Sequence, residues 1–219
     1  SLGTVFIYLF QKGMFLKQKA AEKEHETELL QKNFNQFRLQ ALKNQVNPHF
    51  LFNSLSVLSS LVHKDAALAE QFVVKLSQAY TYILSQKEAG LVPLEEELRF
   101  LKSYFFLLKI RFDNKLQLQI DVSETDGDQV PPLILQLLLE NAVKHNKMSA
   151  SEPLKVIVRR QGDNLVMENN VNRRDSKDES TGLGLENIRQ RYAMITTKEM
   201  KIVESEDLFS VVVPILTSK

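Results

Sequence analysis

Four short stretches place together side chains that could do chemistry. In "NQVNPHFLFN", Asn44 to Asn53, a histidine follows directly on a proline. Inside a helix Pro48 cannot donate to the carbonyl of Asn44 and its ring crowds that turn, at a cost of about 3 kcal/mol. A helix running through it kinks, and the kink leaves His49 at the edge of a helical seam, reachable from solvent. With an ordinary pKa of about 6.5, the imidazole keeps a free ring nitrogen near neutral pH. Asn53, one turn later, is within reach of a hydrogen bond back toward it. On this stretch alone, a solvated histidine beside a tolerated proline stays open, and His25 and His63, among charged and turn residues, read as surface.

The second stretch, "LLLENAVKHN", ends an apolar helix in Glu140, Asn141, Lys144 and His145. On a helix Asn141 shares a face with Lys144 and with His145. That face offers an amide oxygen for a hard cation, an ammonium for phosphate and an imidazole for stacking. The third, Thr181-Gly182-Leu183-Gly184-Leu185, opens a helix after a polar loop. Glycines there let the backbone approach a phosphate, with unpaired helix N–H groups aimed at it. A lone GxG is common in loops and gains weight here from its company. The fourth is "NLVMENN", a strand that ends in Asn169 and Asn170.

The elements that must hold these residues follow from periodicity. A helical pattern runs from Ala20 to about Val62, with a seam through Leu30, Phe34, Phe37, Ala41, Asn44, Pro48, Leu51, Leu55, Leu58 and Val62 in steps of four and three. Lys64-Asp65 breaks it. A second stripe then runs through Leu68, Phe72, Leu76, Ala79 and Ile83. The simplest structure is an antiparallel helical hairpin whose stripe is buried by a second copy in a dimeric four-helix bundle. A third helix starts at Pro93, with Glu95, Glu96 and Glu97 in the first turn, where the helix dipole favours carboxylates. Its seam is Leu94, Leu98, Leu101, Phe105, Leu108 and Phe112. Beyond Arg111 the texture changes. "LQLQIDV" alternates with period two and reads as a strand, and "VPPLILQLLLENAVKHN" is a buried helix with prolines just ahead of it. "LKVIVRRQ" and "NLVMEN" form a strand pair around Gly162-Asp163, and "RRDSKDESTG" is a polar loop. "LGLENIRQRYAMI" is a helix, and "MKIVES" and "LFSVVVPI" are two closing strands. The fold class expected is α+β.

The bulk numbers narrow the field. Of 219 residues, 43% are hydrophobic and 25% charged, with a net charge of +1. Nothing in that balance suggests a nucleic-acid partner. With no cysteine, disulfides and thiolate metal sites are excluded, and a reducing compartment suits the chain. The opening "SLGTVFIYLF" is too short to span a bilayer, which takes about 20 residues, and it lacks the features of a signal peptide. Lys12, Lys17 and Lys19 follow it, as the positive-inside rule places basic residues after a membrane span. Residues 1–16 are therefore expected to be the cytoplasmic end of a transmembrane helix, the alternative being an ordinary amphipathic helix start. Residues 17–90 are expected to form a helical dimerisation region carrying His49, and 91–219 an α/β sandwich with its leading helix.

In this order the motifs resemble those of a sensor histidine kinase of the LytS-like branch, with a GHKL-type ATPase domain. "NQVNPHFLFNSL" resembles its phospho-acceptor box, "PPLILQLLLENAVKHN" its N box, and "TGLGLENIRQRY" its second glycine box. "VPLEEELRFLKSYFFLLKIRF" is similar to the segment between them, and the resemblance covers roughly Gln36 to the C-terminus. It implies ATP and Mg²⁺ as cofactors and His49 as the phosphorylated nucleophile, with Glu140 as its base or orienting group. It also implies that Asn141 holds Mg²⁺, that Lys144 lies near the phosphates, and that His145 packs near the nucleotide. Asn169 would read adenine, Gly182, Gly184 and Leu185 would form the phosphate turn, and Asn187 and Arg191 would support that loop. The implied partners are a response regulator, a second copy of the chain, and the inner membrane of a bacterium. One departure stands out: Asn169-Asn170-Val171 occupies the place of an aspartate followed by glycines. An asparagine accepts from the adenine amino group through its side-chain oxygen, without the charge assistance of a carboxylate. The alternatives are a nucleotide-binding signalling scaffold without kinase activity, or a GHKL-type ATPase of anti-sigma-like kind, which needs no acceptor histidine. A purely structural coiled coil leaves the N box and glycine turn unexplained.

Overall fold

The computed structural model describes Lys19 and residues 48–86, 90–123, 125–173 and 183–217. Contacts divide the chain into Ser1–His49 and Phe50–Lys219, and the elements below belong to the second unit from Phe50 on. The first half of the expected seam, Leu30 to Asn44, and residues 1–16 lie outside the described residues. Among the described residues no helix is long and apolar enough to cross a membrane.

Helices α1 (Pro48–Lys64) and α2 (Ala66–Ser85) form the expected hairpin. The turn between them is a single residue, Asp65. Its backbone is extended (φ −154°) and its carboxylate accepts from the Leu68 N–H at 2.9 Å, capping α2. The buried stripe of α2 is Ala69, Phe72, Leu76, Ala79 and Ile83, close to the spacing expected. Within the single chain the inward face of α1 carries Phe50, Ser54, Val57 and Leu61, and Leu58 of the expected seam also packs on the core, while Leu55 and Val62 are 47% and 55% exposed, as a seam awaiting a second copy would be. The inner stripe and the expected seam lie one residue apart and satisfy the same four-three count. A serine looks out of place on the inner one, but Ser54 Oγ bonds the Phe50 carbonyl at 2.7 Å within its own helix, so its burial costs little.

Helix α3 (Leu94–Phe112) follows a two-residue strand, β1 (Val92–Pro93). It is buried on two sides, one through Leu94, Leu98, Leu101 and Leu108, the other through Phe100, Tyr104 and Leu107. One side meets α2 and the other meets the mixed half of the chain. After a 3₁₀ turn (Asp113–Lys115) come β2 (Leu116–Asp121), β3 (Asp128–Val130), α4 (Ile134–His145), β4 (Leu154–Gln161) and β5 (Asn164–Asn170). Then come α5 (Leu183–Ile195), β6 (Lys201–Glu204), β7 (Leu208–Pro214) and β8 (Leu216–Thr217).

The main sheet has the order β2-β4-β5-β7-β6, with β2 parallel to β4 and every other pair antiparallel. The β4–β5 hairpin closes at Gly162, whose φ of +58° favours glycine. Strands β1, β3 and β8 make a small second sheet absent from the sequence reading, since two or three residues are too few to show a period of two. Arg160 pairs with the buried Asp128, tying this sheet to β4. Helix α4 packs on β4 and β5 and against α5. Its Ile134, Leu135, Leu138, Leu139 and Ala142 join Val156, Val158, Leu165 and Met167 in one core. The fold is α+β.

Replacing Asp65 with alanine should lower the unfolding free energy by about 1 kcal/mol, the usual loss of a helix cap. Asp65→Asn should stay within a few tenths of wild type. Chemical denaturation, read as a shift of midpoint at constant slope, checks both.

Candidate functional site

The site is built outward from α4, beginning where its chain enters. Pro131 and Pro132 precede Leu133, whose φ of +65° lies in the left-handed region. Leu133 stands at the N-cap of α4 without a side-chain cap of its own. The cap comes from another helix. Glu97 of α3 accepts from Leu133 N–H at 2.6 Å through Oε1 and from Leu135 N–H at 3.4 Å through Oε2. The Tyr82 hydroxyl of α2 also donates to Oε1, at 2.8 Å. Arg191 of α5 donates to the Pro132 carbonyl at 2.7 Å. Burial pushes the Glu97 pKa up, against these hydrogen bonds and the Arg191 charge, which hold it down. Glu97 is thus no surface carboxylate like its neighbours Glu95 and Glu96. The signal was present, since Glu97 lies three residues after Leu94 and four before Leu101, on the apolar stripe itself.

Two turns on, α4 carries its polar end. Glu140 is half-buried, and its Oε1 accepts from the Tyr104 hydroxyl at 2.6 Å and from Gln136 Nε2 at 3.0 Å. Asn141 and His145 are half-buried and Lys144 is exposed. Asn146, passed over in the sequence, is buried and works as a clasp. Its Nδ2 donates to the Ala142 carbonyl at 2.9 Å, and its Oδ1 accepts from Asn172 N–H at 2.8 Å. The chain leaving β5 is thereby fastened to the end of α4.

Asn169 sits at that end of β5, 5% exposed, its Nδ2 donating to the Asn170 carbonyl at 2.8 Å. Asn170 is committed elsewhere: Oδ1 accepts from Lys155 N–H at 2.7 Å and Nδ2 donates to the Pro153 carbonyl at 3.1 Å. The polar loop, with Gly182, lies outside the described residues. Gly184 is the second residue of α5, and a Cβ added there would meet no atom of the described residues within 4 Å. The first turn of a helix presents unpaired N–H groups that suit a phosphate. Leu185 packs on the core and Asn187 is exposed. Pro48 and His49 are the first residues of α1, and their side chains lie outside the described ones. Asn53, four residues later, is half-buried.

Residues 37–116 match the family model for histidine kinases. The chain is 29% identical over 215 residues to the sensor protein LytS of Enterococcus faecalis, covering 90% of this chain and 34% of that protein. It is 34% identical over 134 residues to LytS of Bacillus subtilis, covering 61% of this chain and 23% of the relative. Among solved structures, the cytoplasmic segment of histidine kinase QseC superposes with a TM-score of 0.44 at 17% identity, over 68% of this chain and 95% of that one. By sequence the chain is similar to the LytS-type sensor histidine kinases. It spans about a third or less of the length of these LytS proteins.

Three tyrosines near α4 have pKa values pushed up, chiefly by burial: Tyr82 and Tyr192, each also facing the Glu97 charge, and Tyr104, facing Glu140. A folded pKa above the unfolded value of about 10 means that their stabilising contribution is complete below pH 10. It is lost as pH rises from there toward the folded values. Unfolding free energy should therefore fall above about pH 10. Tyr104→Phe should make that slope shallower by up to about 1.4 kcal/mol per pH unit, in denaturation series between pH 8 and 11.

Proposed function

We propose that the protein is the kinase portion of a two-component sensor, which phosphorylates its own His49 from ATP and passes the phosphoryl group to a response-regulator aspartate. One observation carries the reading most directly. The polar end of α4, with Asn141, Lys144 and His145, belongs to a helix packed against α5, the helix that opens at the Leu183-Gly184 turn. The segment holding His49 lies inside the histidine kinase match.

In this reading a ring nitrogen of His49 attacks the γ-phosphorus of ATP. The N–P bond forms as the bond to the β,γ-bridging oxygen breaks, and ADP leaves with that electron pair. The Asn141 amide oxygen would hold Mg²⁺, which would supply charge neutralisation at the phosphates. The chain's own contribution is positioning and charge stabilisation: Lys144 meets the phosphates, His145 packs near the nucleotide, and Gly182, Gly184 and Leu185 shape the turn. Asn187 and Arg191 support that turn, Arg191 from its bond to Pro132. Asn169 meets the adenine amino group through Oδ1, since Nδ2 is engaged. Glu140 takes the imidazole proton through Oε2, since Oε1 already accepts two bonds. Asn53 orients the imidazole. The response-regulator carboxylate then attacks phosphorus and breaks the N–P bond.

Exposed Phe52, Leu55, Val62, Val73, Val74 and Leu84 on the hairpin support a homodimer closing a four-helix bundle. Residues 1–16 would anchor the chain as the end of a transmembrane helix, leaving the rest as the cytoplasmic portion of a bacterial inner-membrane protein.

Incubation with Mg²⁺ and γ-labelled ATP should label the wild type, with a bond stable in base and lost in acid. His49→Gln should take no label while still binding nucleotide by calorimetry. Equal labelling of the two proteins would refute His49 as acceptor. Nucleotide binding without label on either would favour the scaffold.

A further inference from the structure

We propose that Glu97 is a positioning residue for nucleotide binding, the buried carboxylate through which hairpin helix α2 holds the helix that carries Asn141, Lys144 and His145. The proposal rests on the role assigned above to those three residues.

The first N–H groups of any helix have no partner within it. In α4 they are met by a carboxylate from a helix far away in sequence, through Leu133 and Leu135. A carboxylate withdrawn from water is costly unless its oxygens are bonded. Glu97, 0% exposed, is bonded by groups from two other helices: the α4 backbone and the Tyr82 hydroxyl of α2. The Tyr82 ring is in turn stacked on Phe100, with centroids 4.5 Å apart. Arg191 adds positive charge from α5 and fixes the turn before α4. One side chain of α3 therefore joins α2, α4 and α5.

Asn141 lies six residues beyond Leu135, about 9 Å along the helix axis. A helix of this length moves nearly as a rod, so a displacement of its first turn is delivered to the polar end. Binding and catalytic constellations lose function at displacements of about 1 Å. Without the Tyr82 bond, the carboxylate is held only by the α4 backbone and the Arg191 charge, and the link from α2 to the first turn of α4 is lost. The Tyr80 hydroxyl, on the same helix as Tyr82, is buried without a hydrogen-bond partner among the described residues, and serves as a control of matched chemistry.

The test compares the full chain with its Tyr82→Phe, Glu97→Gln and Tyr80→Phe variants. It reads Mg²⁺-nucleotide dissociation constants by calorimetry, hydrogen exchange at residues 135–145 without nucleotide, and thermal unfolding. Tyr82→Phe should raise the dissociation constant about 3- to 10-fold and speed exchange in α4, as the loss of one hydrogen bond at a joint would. Glu97→Gln should exceed it, and Tyr80→Phe should match wild type in nucleotide affinity, with a melting temperature no lower than wild type because it removes a buried hydroxyl without a partner among the described residues. Unchanged nucleotide affinity in Tyr82→Phe and Glu97→Gln, with only the melting temperature lowered, would make Glu97 a structural cap and overturn the proposal. Should Glu97→Gln not fold, Tyr82→Phe decides alone. If the wild type itself neither binds nucleotide nor takes label, the kinase reading fails. Exchange in α4 then judges the joint separately: faster in Tyr82→Phe supports it, unchanged refutes it.

Discussion

A carboxylate hidden from water must be met on every side or it unfolds what surrounds it, and Glu97 imposes that condition on four helices at once. Removing an ion from water costs several kcal/mol even after the protein relaxes. No single partner offsets that: two backbone N–H groups of α4, one hydroxyl of α2 and the nearby guanidinium of α5 do so jointly. The hairpin and the mixed half are consequently not two cores in contact. Phe50, Phe72 and Leu76 of the hairpin share one apolar cluster with Leu135, Leu165 and Ile188, and Glu97 is the polar group inside the seam.

A second layer lies one to two turns further along α3. Tyr104 is 1% exposed, donates to Glu140, and takes the ring of Phe50 against its own at 4.9 Å. Phe50 also approaches Tyr80 at 6.1 Å. The residue after His49 in sequence thus belongs to an aromatic group whose hydroxyl reaches the N-box carboxylate. Nearby polar atoms are less well served, since Tyr80 Oη and Gln136 Oε1 are buried without partners among the described residues. Each such atom costs about 1–3 kcal/mol. Stability in this layer has been spent where α2, α3 and α4 meet.

Much of this was legible in the sequence and some was not, for physical reasons. The hairpin break at Asp65, the helices at Leu94 and Ile134, and the five strands of the main sheet follow from periodicity, because amphipathic patterns record which face is buried. The inward stripe of α1 lies one residue from the expected seam, because apolar residues on adjacent faces leave the count degenerate, and Phe50 marks the inner one by packing on Tyr104. Strands β1, β3 and β8 were missed since their pairing is set by partners distant in the chain. The polar group on α4 was read from types and spacing, yet the residues that hold it were not. Glu97 hid in a run of three glutamates, and Asn146 followed His145 as though it were the start of a loop. Motifs name the groups that face a ligand, whereas the groups behind them are defined by contacts that no local pattern encodes.

The asparagine pair at the end of β5 shows how far a departure in sequence can be absorbed by geometry. Asn169 is buried and gives its amide hydrogen to the Asn170 carbonyl. An aspartate in that pose would set two acceptors 2.8 Å apart and bury a charge with no donor opposite it. With this backbone the amide is the better fit, and it leaves Oδ1 as the acceptor. Asn170, standing where the pattern has flexible glycine, spends its own amide on Lys155 and Pro153. It continues the ladder opposite Leu208, so β5 stays paired to its last residue. The substitution of two asparagines exchanges backbone freedom for a fixed strand end. A strand end paired to its last residue is stiffer than one hinged on glycine.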